Sequence, residues 1–128
     1  MLPEKITISK IEKVDGEHKE VSRDYFFKFN FNSINEFRKV ENIEFSEFNK
    51  IFGGLETGSF DSVEKVGLLF YYALKEGCRI MSEDFNLTPE DVLIYINESA
   101  ENFTGVIDGF TNAQPKAETD KKKVKESP

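Results

Sequence analysis

Reactive side chains are scarce and scattered in this chain of 128 residues. Its one histidine, His18, stands near Asp15 and Glu17, beside an Asp15-Gly16 turn signal. A metal site needs three or four converging ligands, and one imidazole with two acids beside a turn reads as a solvated loop. Glu83-Asp84 and Glu90-Asp91 bracket a loop, but the spaced Asp/Asn, central Gly and final Glu of a calcium loop are missing. Cys78, the single cysteine, follows Gly77 at an expected helix C-terminus, the end that raises a thiol pKa, and no signature ties it to His18. Gly53-Gly54 lacks the frame of a phosphate-binding loop and reads as a helix stop. No pair of groups is placed to run a reaction. The chain is therefore expected to be non-enzymatic, to need no cofactor or metal, and to act as a surface for partners.

The elements that build such a surface follow from hydrophobic spacing. Ile6, Ile8 and Ile11 near Val14 predict a strand over about Lys5 to Lys13. Glu17 to Asp24 is polar and reads as a flexible connection. Tyr25 to Phe31 alternates, with Phe27, Phe29 and Phe31 on one face, and predicts the second strand. A two-stranded hairpin is unstable alone and must pack on helices or on another chain. Asn32 or Ser33 then caps a helix over Ser33 to Glu41, with Ile34, Phe37 and Val40 inward. Ser46 caps a shorter one to Phe52, with Phe48, Ile51 and Phe52 inward and Phe45 placed as a staple. Leu55 to Phe60 is a loop.

The third helix, capped by Asp61 or Ser62, runs to about Glu76 and ends at Gly77. Val63, Val66, Leu69, Phe70, Ala73 and Leu74 form its buried stripe. Leu68, Tyr71 and Tyr72 extend apolar surface around nearly the whole helix. Either it is central, or one side faces another subunit. Gly67 allows another element to come close, at a propensity cost of roughly 1 kcal/mol. Thr88-Pro89-Glu90-Asp91 is a strong helix start, and that helix reaches about Ser99 with Val92, Leu93 and Ile96 inward. Glu101 to Phe110 carries Phe103, Val106, Ile107 and Phe110 at helical spacing. Gly105 and Gly109 weaken it, so it is expected to order only against a partner. Residues 1–110 thus form one α+β domain, an N-terminal β-hairpin followed by four to five helices. Residues 111–128, with five lysines and no aromatic, form a disordered tail.

Composition narrows the partners. The net charge is −7; residues 1–110 hold 12 basic and 21 acidic side chains, residues 111–128 hold 5 and 3. An acidic body repels phosphate backbones, which argues against nucleic acid. The longest apolar run, Val66 to Leu74, is too short to span a bilayer. The first residues have no apolar core of a signal peptide, so the chain is expected in the cytoplasm, where the sequons at Asn86, Asn97 and Asn102 stay unmodified. Thirteen phenylalanines and no tryptophan predict a ring-rich core with some rings left for docking. Tyr71 and Tyr72 fit either core packing with hydroxyls at the surface or a partner interface.

Phe27-Lys28-Phe29, Phe37-Arg38-Lys39-Val40-Glu41, Leu68-Leu69-Phe70-Tyr71-Tyr72-Ala73-Leu74 and Leu87-Thr88-Pro89-Glu90-Asp91-Val92 occur in one order. In this the chain resembles, over residues 25 to 110, the tail assembly chaperones of long-tailed bacteriophages and prophages of Gram-positive hosts. The resemblance implies a cytoplasmic, oligomeric protein that binds the tape measure protein, keeps it soluble, promotes assembly of tail tube protein around it, and is absent from the mature virion. It also implies two products from one message by ribosomal slippage, for which Lys121-Lys122-Lys123 could be the coding trace. Helix-in-groove binding is the expected mode, with Leu68, Tyr71 and Tyr72 as the first contact surface and Phe103, Val106, Ile107 and Phe110 as the second. Two rivals are a small regulatory module that binds a host protein and an enzyme fragment working with a second subunit. Neighbouring tail genes would favour the chaperone, and polar residues clustered in a cleft would favour the fragment.

Overall fold

The computed structural model describes residues 2–52 and 63–113, apart from the side chains of Phe45, Asn49, Ile51 and Phe52. Strands β1 (Glu4–Val14) and β2 (Glu17–Phe27) form an antiparallel hairpin. Five helices follow among the described residues: α1 (Phe31–Glu41), α2 (Phe45–Phe52), α3 (Val63–Met81), α4 (Pro89–Glu98) and α5 (Ala100–Ala113). This is the expected α+β order. The expected loop at Leu55–Phe60, the caps at Asp61 or Ser62, and the tail beyond residue 113 lie outside the described residues; residues 111–113, expected in the tail, belong to α5 instead.

The second strand lies earlier than its spacing suggests. Asp15 (φ 53°) and Gly16 (φ 81°) make a two-residue turn with both φ positive, so the chain reverses at once. Glu17 to Asp24 is therefore strand rather than flexible connection, and the ladder runs unbroken from Val14–Glu17 to Glu4–Phe27. Polar residues pair across the outer face: Thr7 donates to Asp24 (2.7 Å), and the Ser9 and Ser22 hydroxyls share a hydrogen bond (2.6 Å). Ile8, Tyr25 and Phe27 are buried on the opposite face, where Arg23 also bonds Glu12 nearer the turn.

β2 stops at Phe27 because the next residues are committed to α1. Asn30, not Asn32 or Ser33, is the N-cap: its side chain accepts from the Ser33 N–H (3.0 Å), and the Ser33 hydroxyl accepts from the Asn30 N–H (3.0 Å). The reciprocal pair satisfies two donors at the helix start. Phe31, expected beside Phe27 and Phe29, is thereby turned outward and is 64% exposed. Val40, expected inward, is 57% exposed. Residues three apart drift by about 60° around a helix of 3.6 residues per turn, so Val40 leaves the narrow face that Phe37 presents to α3, while Ile34 still packs partly against the core. In α2, Ser46 lies inside the helix rather than capping it, and the Glu44 carbonyl accepts the Phe48 N–H (3.0 Å).

The largest departure is at Gly77, which does not end α3. The helix continues to Met81, and Gly77 lets the end of β2 rest directly on it. A Cβ there would lie 2.4 Å from the carbonyl carbon and oxygen of Phe26. Beside this crossing Lys28 N–H donates to the Ala73 carbonyl (2.9 Å), and the Cys78 thiol points at the Phe26 carbonyl (3.7 Å). Glu76, nine-tenths buried, accepts from Asn30 (2.7 Å) and Asn32 (3.3 Å) and takes a two-pronged bond from Arg79 (2.8 and 2.9 Å), tying the start of α1 to α3.

Phenylalanine rings link the remaining elements. Phe27 and Phe29 both meet Phe70 of α3 (centroids 5.2 and 6.0 Å), Phe29 meets Phe110 of α5 (5.4 Å), Phe110 meets Phe48 of α2 (6.3 Å), and Phe48 meets Phe37 of α1 (6.0 Å). α5 therefore orders against its own chain, with no second protein required. α4 starts at Pro89, capped by a reciprocal Thr88–Asp91 pair, and packs where Gly67 leaves room: a Cβ there would lie 3.1 Å from Leu93 Cδ1. Leu93 itself stays half-buried while Val92 and Ile96 fill the core.

Two predictions follow from these contacts. Gly77→Ala is expected to prevent folding or to move the urea midpoint far below wild type, because backbone atoms cannot yield the space. Gly105→Ala, whose Cβ would meet nothing within 4 Å, should instead stabilise by up to about 1 kcal/mol in the same titration. The second concerns acid. Arg79, against the opposing effect of burial and with help from Asn30 and Asn32, holds the Glu76 carboxyl well below its ordinary 4.5, at about 2. The folded value lies below the unfolded one, so this contribution is complete above pH 4.5 and is lost as pH falls toward 2. Its ceiling is about 3 kcal/mol, reduced in practice because solvent reaches Arg79. Urea melts at a series of pH values should show Glu76→Gln weakening the protein at neutrality and narrowing its gap from wild type on acidification.

Candidate partner-binding surface

α3 is held by β2 at Gly77 and Ala73, by the core side of α1 and by α4 at Gly67, which leaves one strip less covered. Leu68 and Tyr71, three residues apart and hence on one face, lie half-buried on that strip. The Tyr71 ring packs edge-on against Tyr72 (5.1 Å) and tilted against Phe85 (5.3 Å). Phe85 sits in the segment after α3, and sequence spacing gave no reason to choose it. Its one signal was being the lone aromatic of the polar run Ser82–Asn86. Leu68, Tyr71 and Phe85 thus form a partly open apolar strip.

Tyr72 does not share it. Its side chain is 9% exposed, and Lys75 Nζ stands 5.9 Å from its ring centroid. Burial, and then the nearby Glu36 carboxylate, push its hydroxyl pKa upward, while Lys75 bonds Glu36 (3.0 Å) and is itself raised by that bond. Tyr72 is a core residue beside a surface ion pair and not a ready contact for a client.

The second expected surface divides in the same way. Val106 and Phe110 point into the core, as the Phe29–Phe110 and Phe48–Phe110 contacts require. Phe103 and Ile107 are half-buried. Phe103, with Val63, Ile96 and Ala100, lines a shallow groove of about 270 Å3 at the junction of α3, α4 and α5. The Asn102 side chain closes the α4–α5 corner by donating to the Tyr95 carbonyl (2.9 Å). Burial raises the Tyr95 hydroxyl pKa. Two aliphatic side chains that spacing did not mark as surface, Ile11 of β1 and Ile94 of α4, flank a larger groove of about 470 Å3.

The polar candidates do not converge. Asp15 lies in the turn, and His18 pairs across the ladder with Lys13. Asp91 serves the Thr88 cap and accepts from Lys10 (3.2 Å). Burial opposes its ionisation, yet the Thr88 N–H and Lys10 hold its carboxyl below the ordinary range. Among the described residues no group of three or more His, Cys, Asp or Glu side chains could hold a metal ion. Nor is any helix among them long and apolar enough to cross a membrane.

Cys78 is not at a helix end. It is fully buried within α3, and burial raises its thiol pKa. A thiol reagent such as dithiobisnitrobenzoate should leave it unmodified in the folded protein and react at once in denaturant; rapid native reaction would contradict this burial. No protein-family model, no curated protein and no solved structure matches this chain.

Proposed function

We propose that the chain is a non-enzymatic assembly chaperone that shields apolar helical stripes of a client, as a tail assembly chaperone does for a tape measure protein while tail tube protein polymerises around it. The ordered motif series from Phe27 to Val92 supports this reading. The observation that carries it is the half-buried strip of Leu68, Tyr71 and Phe85 on and beside the central helix. A stripe of a client helix laid there would complete the burial of three large side chains, each worth about 1.5–3 kcal/mol when fully withdrawn from water. The acidic exterior keeps the free protein soluble while that strip is open. Phe103 and Ile107 offer a second, smaller contact, and several weak contacts of this kind could coat a long client by avidity.

Co-expression with a phage tape measure protein tests the reading. The wild-type chain should raise the soluble fraction of the client. A Leu68→Glu/Tyr71→Glu variant with an unchanged circular-dichroism spectrum should lose most of that gain, and Ile80→Glu, on the same helix but off the strip, should keep it. No gain with the wild-type chain would overturn the chaperone reading.

A further inference from the structure

Among the described residues β1 is paired along one edge only, and its other edge borders the groove that exposes Ile11 and Ile94. The turn at Asp15-Gly16 closes on a hydrogen-bonded pair, Val14 with Glu17, and pair types alternate along an antiparallel ladder. Ser9, Ile11 and Lys13 therefore turn their N–H and C=O groups away from β2. No backbone group among the described residues meets them. Every residue from Ile8 to Lys13 lines the groove, whichever face its side chain takes, as a groove running along a strand edge requires. α4 supplies the far wall. Ile11 is 64% and Ile94 56% exposed, and an open, partly apolar edge of this length is a ready template for another strand.

The sequence of β1 says which strand fits. A second copy related by a two-fold axis pairs antiparallel about one central residue. Centring on Ile8 would oppose Glu4 to Glu12, and centring on Ser9 would oppose Lys5 to Lys13. Centring on Lys10, Glu12 or Lys13 would oppose that charge to itself. Centring on Ile11 opposes Ile11 to Ile11, Lys10 to Glu12, Ile8 to Val14 and Ser9 to Lys13, and sets no like charges together. Cross-strand pairs of this kind favour pairing, and like charges directly opposite are unfavourable. The same centre also has the right phase. It faces the outward-turned Ser9, Ile11 and Lys13 of one copy with those of the other, so each pair exchanges main-chain hydrogen bonds.

We propose that a second copy of this chain adds to β1 in antiparallel register about Ile11, making a four-stranded sheet continuous across a two-fold axis. The pairing uses none of the residues assigned to the client, so a dimer without chaperone activity and chaperone activity without a dimer are separable results. Analytical ultracentrifugation of the full chain should give a mass near twice 14.7 kDa. Ile11→Glu, at a solvent-exposed position, should return the single-chain mass with an unchanged circular-dichroism spectrum. Register is read by cross-linking. Two Ile11→Cys positions would lie about 5.5 Å apart between Cα atoms, within disulfide reach, and should link under mild oxidation. Two Lys13→Cys positions would lie about 13 Å apart along the strands and should not link. A single-chain mass at every concentration, an Ile11→Glu variant that stays dimeric, or Lys13→Cys linking as readily as Ile11→Cys would each overturn the proposal.

Discussion

Backbone lies on backbone where β2 crosses α3, with no side chain between them at Gly77, and the other elements take their places from that crossing. The Lys28 N–H on the Ala73 carbonyl fixes the height at which the chain leaves the sheet. That height brings Phe27 and Phe29 to Phe70, and through Phe29 the rings of Phe110, Phe48 and Phe37 follow in contact. Glu76, next to Gly77, then captures the cap residue of α1. Sheet, cap and aromatic core depend on a missing Cβ because ring-to-ring packing tolerates shifts of only a fraction of an ångström in a close-packed interior.

The charged side chains near this crossing are arranged to support it. A buried carboxylate is unfavourable unless its oxygens are satisfied, and those of Glu76 are met by two amide groups and a guanidinium. On the outer sheet face, hydroxyls and ion pairs keep water-facing strands in register without apolar burial. Among the described residues, two partly open surfaces lie in separate places, the Leu68–Tyr71–Phe85 strip and the open edge of β1. One presents side chains and suits a helix; the other presents main-chain groups and suits a strand.

Features that depend on local chemistry were legible in the sequence. Thr88-Pro89 marks the start of α4 because cap and first-turn geometry involve only neighbours, and the α3 stripe of Val66, Leu69, Phe70, Ala73 and Leu74 follows from a period. Features that depend on distant partners were not. Gly77 looks like a helix stop, and only the arrival of β2, some fifty positions earlier in the chain, shows that it is a crossing point. Glu17 to Asp24 looks like a loop because its stabilising pairs, Thr7–Asp24 and Ser9–Ser22, are polar and lie across the sheet. The same limit governs the surface. Tyr71 and Tyr72 are adjacent and alike in type, yet α1 and the Glu36–Lys75 pair take one of them into the core. Phe85 and Ile94 lie on no periodic face that points outward, so their exposure emerges only from packing.

The crossing also orders events during folding. Cys78 and Phe26 lie 52 residues apart. Bringing together ends so separated costs on the order of 3.5 kcal/mol of chain entropy from the length term alone. The hairpin closes through a two-residue turn and α3 to α5 are joined by short connections, so each half gathers from neighbours on microsecond timescales. Their docking at one glycine is the long-range search left over, and topology makes it the step expected to limit how fast the chain becomes native.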